Sequence, residues 1–440
     1  MQDAYPRQTV RRYGLMLISL IAILIGGTVV LQALTDPILA YETGLARFDD
    51  MRHLSMRSAK AEILSREPFD TVILGSSRGE SGFAPDDEMW GDDRVYNAAL
   101  ASMNIYEMRL VWQLLKRTHL PKRLIIETSL LNFTNAKTIF PDFNLSRLKA
   151  AQRWADGDDQ TLLDYLLLKT PPGSVSLETR FNWVLGWPYV RKALGTLMRG
   201  IRGTRSMRYF GEDGFGIRDD EVPDNKALIE AALVTSNLVD PNYYNGFELG
   251  EDRLAWLDEI VTEAAAEGIK VDLILPPIHA VQMEALDRMG LMQQYDQLRQ
   301  FVTELAASHA PDVKVWDFSG FDGLVNEPVT DADNSPMKYY FDGSHFTPEL
   351  GHLVLKRIYG DEEDQKMLQE MGGFGVQLLP AGVTPHIQRW HEAHKAWQQN
   401  HPHYMAWVDG MMEKSQAERD RQLEISRKLR NTRQTTGFLP

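Results

Sequence analysis

The stretch Thr71-Val-Ile-Leu-Gly-Ser-Ser-Arg78 decides the fold that we expect for this chain. Its apolar, β-branched run stops at a glycine that two hydroxyl side chains follow. Buried parallel strands are apolar in this way, and ligands of open α/β sheets bind beyond the carboxyl ends of such strands. The sequence therefore predicts a strand from Thr71 to Gly75 and a serine nucleophile, Ser77, directly after it.

A second stretch, Tyr340-Phe-Asp-Gly-Ser-His-Phe-Thr-Pro348, supplies the groups that a serine nucleophile needs. Asp342 and His345 lie there, just before an apolar helix. We expect Ser77 to attack, His345 to accept its proton, and Asp342 to hold the imidazole in the right tautomer. Ser76 is the neighbouring hydroxyl, but Ser77 lies one step later, where a helix N-terminus directs N–H groups at a developing oxyanion.

Apolar runs alternate with amphipathic stretches along much of the remaining chain. Further strands are expected at residues 95–99, 123–127, 270–275 and 313–318, and a closing helix at residues 348–359. Strands that alternate with helices form parallel sheets through right-handed crossovers. The pattern therefore predicts an α/β fold with a parallel sheet.

The composition excludes several classes of function. The chain has 440 residues, 43% of them hydrophobic, which suffices for one large core or two modest ones. A formal charge of -14 argues against a general nucleic-acid-binding protein, because such proteins need a basic surface. The absence of cysteine excludes disulfides, thiol nucleophiles and thiolate metal sites. We expect neither a metal nor another cofactor.

The N-terminus predicts a membrane anchor. No charged residue lies between Gly14 and Leu34, and at about 1.5 Å per residue this run gives roughly 31 Å of helix, enough to span a bilayer. Arginines precede the run and Asp36 follows it, so the positive-inside rule places the N-terminus in the cytoplasm and the bulk outside the membrane. A cleaved signal peptide is the alternative, although no Ala-x-Ala site follows the run.

The blocks Gly75-Ser76-Ser77 and Asp342-Gly-Ser-His345 resemble those of the SGNH/GDSL hydrolase superfamily, over roughly residues 70 to 360. Within it, the chain is similar to the membrane-anchored branch of alginate O-acetylation and teichoic-acid D-alanylation proteins. The resemblance implies a flavodoxin-like, three-layer parallel sheet and a bacterial inner-membrane location. The chain departs from the family pattern in that Ser76 replaces an acidic residue, Ala99 replaces a glycine, and no Gly-x-Asn-Asp run precedes Asn132.

The resemblance also implies roles for residues outside the two blocks. Ala99 and Asn132 match positions of the family's oxyanion hole, which they would form together with the N–H of Ser77. Arg78 and His279 are candidates for substrate binding, since Arg78 follows the nucleophile and His279 follows the carboxyl end of a strand. A surface position for Arg78 and a loop position without function for His279 are the alternatives.

These observations predict five segments. They are a cytoplasmic tail (residues 1–13), a transmembrane anchor (14–34), a split α/β domain (43–132 and 249–360), an insertion (133–248) and a helical tail (373–440). The insertion is too long for an ordinary loop and is expected to be mostly helical. The helical tail is either one long helix or two helices broken near Pro402.

Two segments outside the α/β domain have an unusual composition. No acidic residue lies between residues 191 and 208, where Arg199, Arg202, Arg205 and Arg208 occur. One interpretation is a solvated helical face, and the other is a surface for an anionic polymer or lipid headgroups.

In the tail, five of the 11 histidines lie between residues 386 and 403. Their spacing does not match a zinc motif, so we favour a helix that packs through its tryptophans.

The expected reaction is a two-step acyl transfer through an acyl-enzyme on Ser77. With water as the acceptor the protein is an esterase, and with a sugar hydroxyl it is an O-acyltransferase. The resemblance favours acetyl esters of an exopolysaccharide or another envelope glycan, and implies a multipass membrane protein that supplies the acyl donor as a partner. A polysaccharide-binding or scaffold protein with an idle triad, and a general lipase or thioesterase, are the alternatives.

Overall fold

The computed structural model describes residues 7–39, 45, 48, 55–134, 181, 184–204, 208–211, 213–218, 224–234, 243–321, 323–330 and 336–436. Much of the predicted insertion at residues 133–248 lies outside these ranges. The described residues divide between two compact units.

The helices are, in chain order, α1 (Arg7–Thr35), α2 (Met56–Arg66), α3 (Ser77–Gly82), α4 (Ile105–Leu115), α5 (Trp187–Arg202), α6 (Asn225–Ala232), α7 (Glu251–Ala266), α8 (Ala280–Arg288), α9 (Met292–Ser308), α10 (Pro348–Tyr359), α11 (Glu362–Glu370), α12 (Pro380–Asn400) and α13 (Pro402–Thr436). The strands are β1 (Thr71–Leu74), β2 (Val95–Asn97), β3 (Arg123–Glu127), β4 (Arg208–Phe210), β5 (Gly216–Arg218), β6 (Lys270–Leu275), β7 (Val313–Asp317) and β8 (Val376–Gln377).

The first unit contains α1, α2 and α5. The segment Arg11–Thr35 of α1 has a mean hydropathy of 2.6, and its most apolar part is not buried in the protein. Among the described residues, this is the one helix long and apolar enough to cross a membrane. The first unit therefore carries the part of the chain that is compatible with single-pass anchoring.

The second unit is built on a mostly parallel sheet. Within the described residues, six strands pair in the order β2-β1-β3-β6-β7-β8, and only β8 is antiparallel to its neighbour. The central strands are buried runs of valine, isoleucine and leucine, as expected for strands covered on both faces. The α/β class and the parallel sheet predicted from the sequence are confirmed.

The strand order places a ligand-binding crevice at one point of the sheet. Numbered along the chain, the five parallel strands follow the order 2-1-3-4-5, so the direction in which strands are added to the sheet reverses between β1 and β3. Ligands of such sheets bind beyond the carboxyl ends of the strands at this switch. The turn from β1 into α3 and the residues after β3 both lie at this edge.

Close packing of glycines holds α3 against α10. Gly82 lies at the end of α3 and faces the ring of Phe346, while Gly351 in α10 packs on the carbonyl oxygen of Gly82. A side chain at either glycine would overlap these neighbours. Phe346 directly follows His345, so this contact joins the helix that starts at Ser77 to the chain that carries His345.

The tail belongs to the second unit and packs within it through aromatic side chains, as its tryptophans suggested. Phe321 lies against Trp390, His394 and Trp397 of α12, with ring centroids 4.9, 4.2 and 5.3 Å away. The guanidinium of the buried Arg299 lies 4.4 Å from the centre of the Trp390 ring. The tail forms two helices, and the break falls at residue 401, directly before Pro402.

We predict that Gly351→Ala destabilises the protein by about 1–3 kcal/mol, because the added methyl group forces α3 and α10 apart. The matched control is Gly410→Ala in α13, where nothing lies within 4 Å of the added methyl group. This change should stabilise by about 0.5–1 kcal/mol, because alanine restricts the unfolded chain. Urea unfolding of the three proteins measures both effects, and a neutral Gly351→Ala would contradict the tight contact.

Candidate active site

The turn after β1 exposes one hydroxyl and buries its neighbours. Ser76 is the N-cap of α3, and its side chain accepts a hydrogen bond from the N–H of Arg78. Ser76 and Arg78 are 0% and 1% exposed, whereas Ser77 is partly exposed. Ser77 is the first residue of α3, so no carbonyl of the helix itself can accept its N–H. Of the two serines, Ser77 is the one that a substrate can reach.

Ser77, His345 and Asp342 form a continuous hydrogen-bonded chain. The Oγ of Ser77 lies 2.7 Å from Nε2 of His345. The Nδ1 of His345 lies 2.7 Å from Oδ2 and 3.0 Å from Oδ1 of Asp342. The structure thus brings together the three side chains that the sequence singled out as nucleophile, base and orienting acid.

The loop from residue 340 to residue 346 fixes the orientation of His345. A bridge between Tyr340 and Phe346 closes the loop. Inside it, Oδ1 of Asp342 accepts the N–H groups of Ser344 and His345 at 2.7 and 2.9 Å. Burial raises the pKa of Asp342, but His345 and these N–H groups lower it by more, so the pKa of this carboxyl lies well below its usual range. Asp342 is therefore ionised and accepts the N–H at Nδ1 of His345.

A buried carboxylate, Glu127 at the end of β3, holds the turn that carries Ser76 and Ser77. It accepts the N–H of Ser76 at 2.8 Å, the Oγ of Ser76 at 2.7 Å and the N–H of Gly79 at 3.2 Å. The Oγ of Ser129 lies 3.2 Å from Oε1 of Glu127, and the guanidinium of Arg78 lies 3.7 Å away. Because Glu127 is 1% exposed, these donors replace water around its charge.

Arg78 connects this network to the loop of residues 340–346, which carries His345. Its Nε and Nη2 donate to the hydroxyl of Ser344 at 3.0 and 2.7 Å, and Nε also donates to the Ser344 carbonyl. Nη1 donates to Ser129 at 2.8 Å and Nη2 to the hydroxyl of Tyr244 at 3.3 Å. We expected a substrate contact or a surface position for Arg78. The structure instead buries the guanidinium and engages all three nitrogens within the protein.

His279, the second substrate-binding candidate, is fully buried and acts as a helix cap. Its Nδ1 accepts the N–H of Val281, and its Nε2 lies 2.7 Å from the carbonyl oxygen of Glu327. Burial lowers the pKa of His279 to about 4, against a smaller opposing effect of the Glu327 carbonyl. The N–H of His279 donates to the Gly343 carbonyl, so the residue supports the loop of Asp342 from below. Because His279 is fully buried, a substrate cannot reach its ring in this conformation.

The two expected oxyanion-hole residues have hydrogen-bond partners within the protein. The N–H of Ala99 donates to Oδ1 of Asn97 at 3.1 Å. The carboxamide of Asn132 accepts the N–H and hydroxyl of Ser129 and donates to the Met103 carbonyl at 3.0 Å. Ala99 and Asn132 are both 0% exposed. Their role in oxyanion binding stays a prediction.

Among the described residues, one group of side chains is close enough to hold a metal ion, namely Glu284, Asp287 and His394. Glu284 is buried and already bonded to Arg288 at 2.8 Å and to His394 at 2.6 Å. A cation would have to displace the Arg288 guanidinium from the only fully buried carboxylate of the group. The group is therefore a hydrogen-bonded contact of the tail, in which Arg288 balances the charge of Glu284, rather than a preformed metal site.

Two further tail histidines are also paired with carboxylates of the second unit. His386 lies 2.9 Å from Asp317, and His391 lies 2.7 Å from Asp296. With His394, this gives three of the five clustered histidines a contact that holds α12 against the rest of the second unit. The structure thus explains much of the unusual histidine content of the tail without a ligand.

Sequence reasoning missed Glu127, Ser344 and Tyr244. One signal was present for Glu127, because an acidic residue at the end of an otherwise apolar strand requires a buried partner. No comparable signal marks Ser344 or Tyr244, because their contacts with Arg78 arise from residues far apart in the chain.

No protein-family model matches the chain, and no curated protein matches its sequence.

We predict that Arg78→Met destabilises the protein by about 3–5 kcal/mol, because Glu127 then stays buried without its counter-charge. Adding Glu127→Gln should recover part of this loss, since no unpaired charge remains. The control Arg421→Met removes an exposed ion pair with Glu418 and should change stability by no more than about 0.5 kcal/mol. Denaturant unfolding measures the free energy of unfolding of the wild type, Arg78→Met, the double variant and Arg421→Met. A double variant no more stable than Arg78→Met would refute the coupling.

We also predict a stability loss between pH 6.5 and pH 4 that depends on His279. In this window the unfolded chain binds a proton at His279, whose ordinary pKa is 6.5, and the folded chain does not. The loss from this group amounts to at most about 1.4 kcal/mol per pH unit. Urea unfolding of the wild type and His279→Asn across this range tests it, because asparagine retains an acceptor for the helix cap. Equal pH slopes would contradict the assignment.

Proposed function

We propose that the protein is a membrane-anchored serine acyltransferase or esterase. It acts through Ser77, His345 and Asp342 on acyl esters, acetyl esters first among them, of an exopolysaccharide or another envelope glycan. The observation that carries the proposal is the unbroken hydrogen-bonded chain from the Ser77 hydroxyl through His345 to the ionised Asp342. The resemblance to SGNH/GDSL hydrolases supplies the substrate class.

The geometry supports a definite path for the proton. Because Asp342 accepts the N–H at Nδ1, the lone pair of Nε2 faces the Ser77 hydroxyl. Ser77 attacks the acyl carbonyl carbon as its proton passes to Nε2 of His345, and the carbonyl oxygen becomes an oxyanion. His345 then returns the proton to the leaving oxygen as the tetrahedral intermediate collapses to an acyl-enzyme.

The second half of the reaction uses the same groups in reverse. Nε2 of His345 takes the proton of an acceptor hydroxyl, whose oxygen attacks the acyl carbon. The tetrahedral intermediate then collapses as His345 returns that proton to Oγ of Ser77, and the bond between Ser77 and the acyl group breaks. The N–H of Ser77 is the oxyanion donor that the N-terminus of α3 supplies. Water as the acceptor releases the free acid, whereas a sugar hydroxyl retains the acyl group as a new ester.

The proposed setting is the outer face of a bacterial inner membrane. The apolar helix α1 supports single-pass anchoring, and the arginines before it favour a cytoplasmic N-terminus. The acyl donor would come from a multipass membrane partner, as the family resemblance implies. We propose no nucleic-acid partner, since the net charge is -14.

A second candidate function is a glycan-binding or scaffold protein with an idle triad. One observation favours it. Ala99 and Asn132, the expected oxyanion donors, are buried and donate their described hydrogen bonds to protein acceptors. Formation of an acyl-enzyme separates the two candidates. A scaffold needs no reactive serine, whereas the proposed enzyme requires one at position 77.

We expect a fluorophosphonate probe to label the purified full-length protein at Ser77 and Ser77→Ala to abolish the label. His345→Ala should suppress labelling, and Asp342→Asn should lower kcat for p-nitrophenyl acetate by about 10⁴-fold, because the imidazole loses its orienting acceptor. Ser308→Ala removes an exposed serine and serves as the control. Full labelling of Ser77→Ala, or a folded wild type that never reacts, would favour the scaffold.

A separate measurement identifies the acceptor. Acylated protein is mixed with acetyl-free glycan oligosaccharides, and mass spectrometry follows the acetyl group. A transferase yields acetylated oligosaccharide, whereas an esterase yields acetate at a rate that the oligosaccharide does not change.

A further inference from the structure

Helix α5 exposes an apolar stripe along its whole length. Trp187, Leu194, Met198 and Ile201 are 68%, 40%, 44% and 70% exposed. Their spacing of seven, four and three residues places all four on one face of a helix with 3.6 residues per turn. The buried residues Tyr189, Ala193 and Thr196 lie on the opposite face. The helix therefore contacts its own unit on one side and presents large apolar side chains on the other.

Basic residues border this stripe. Arg191 and Arg202 are exposed and lie next to the apolar residues on the helix surface. No acidic residue occurs between Trp187 and Arg202, although the chain as a whole carries a charge of -14. Of the other arginines in the basic run, Arg199 also lies in α5, Arg208 begins β4, and Arg205 lies outside the described residues.

The position of α5 next to α1 limits what can cover the stripe. Both helices belong to the first unit, and they pack against each other. Among the described side chains of α1, those that are buried, Gln32 and Thr35, lie at its C-terminal end. Burial along the described part of α1 is thus confined to the end at which a membrane-spanning α1 leaves the hydrocarbon region, and we place its contact with α5 there. A helix that packs on this end of α1 lies near the level of the bilayer surface.

We propose that α5 lies in the interface of the bilayer that α1 spans, with its apolar stripe toward the acyl chains. Arg191 and Arg202 then contact anionic lipid headgroups, and Trp187 occupies the interfacial level that tryptophan prefers. Four basic residues exclude a second membrane span for α5. An anionic polysaccharide would match the arginines but offers no apolar surface to the tryptophan and isoleucine. The inference rests on the proposed anchoring by α1.

The full-length chain is suited to a direct test because it contains no cysteine. Single cysteines at Met198→Cys in the stripe, Ile18→Cys in the anchor and Lys366→Cys in the exposed part of α11 carry a nitrobenzoxadiazole label. The proteins are placed in phosphatidylcholine nanodiscs with or without phosphatidylglycerol. Lipid nitroxides at a shallow or a central depth then quench labels that contact the bilayer.

We expect the label at position 198 to be quenched mainly by shallow nitroxides, the label at 18 by central ones, and the label at 366 by neither. Quenching at 18 without quenching at 198 overturns the inference and leaves the anchor intact. Absence of quenching at 18 overturns the anchoring itself and the inference with it. A blue shift of the 198 emission with soluble anionic polysaccharide, but not with lipid, overturns the lipid assignment.

A charge variant tests the headgroup contact separately. Phosphatidylglycerol should increase the quenching at position 198, because the two arginines attract anionic headgroups. In the double variant Arg191→Gln and Arg202→Gln, this dependence on phosphatidylglycerol should be lost, while shallow quenching in phosphatidylcholine persists. An unchanged dependence would exclude these arginines from lipid binding.

Discussion

The buried pair of Glu127 and Arg78 is the interaction on which the geometry of the site depends. Neither charge has access to water, so each must be matched by donors or acceptors within the protein. Glu127 is matched by the turn that presents Ser77, and Arg78 by Ser344 in the loop of His345. Ser77 and His345 are 268 residues apart in sequence, and this network ties their two segments together. The 2.7 Å contact between Ser77 and His345 is thus supported by two buried charges whose separation would cost several kcal/mol, about 3–5 for a broken buried pair.

Two histidines close to the same loop show that environment decides which of them can move a proton. His279 is fully buried with a pKa near 4, so it stays neutral and uses both ring nitrogens for structural hydrogen bonds. His345 is 20% exposed, and its Nδ1 faces an ionised carboxylate while its Nε2 faces Ser77. Placement after a strand suggested a site role for His279, and the pairing with Asp342 before the closing helix suggested one for His345. Of the two, only His345 combines solvent access with an acidic partner.

The sequence was sufficient for features that local chemistry determines. The run at residues 71–74 ends at Gly75, and the strand and the partly exposed Ser77 follow from that pattern. For the tail, one long helix and two helices broken near Pro402 were both open, and the structure has two helices. The short antiparallel strand β8 was not predicted, because two residues of pairing leave no periodic signal. The burial of Arg78 also escaped prediction, because its side-chain partners come from three separate segments of the chain, around residues 127–129, 244 and 344. Long-range polar contacts of this kind have no local pattern in sequence.

The occupied donors around Ser77 bear on the kind of substrate that the site suits. A second oxyanion donor at Ala99 requires its hydrogen bond to Asn97 to break, at a net cost of about 1 kcal/mol. A bond to a developing oxyanion is charge-assisted and about twice as strong, so the exchange is favourable once the substrate is in place. Because Ala99 is fully buried, the exchange also needs movement of the surrounding chain. Binding energy from remote parts of a large substrate can drive such a movement, whereas a small ester supplies little of it. If Ser77 acts as proposed, a second oxyanion donor at Ala99 is therefore easier to recruit with a large glycan substrate than with a small ester.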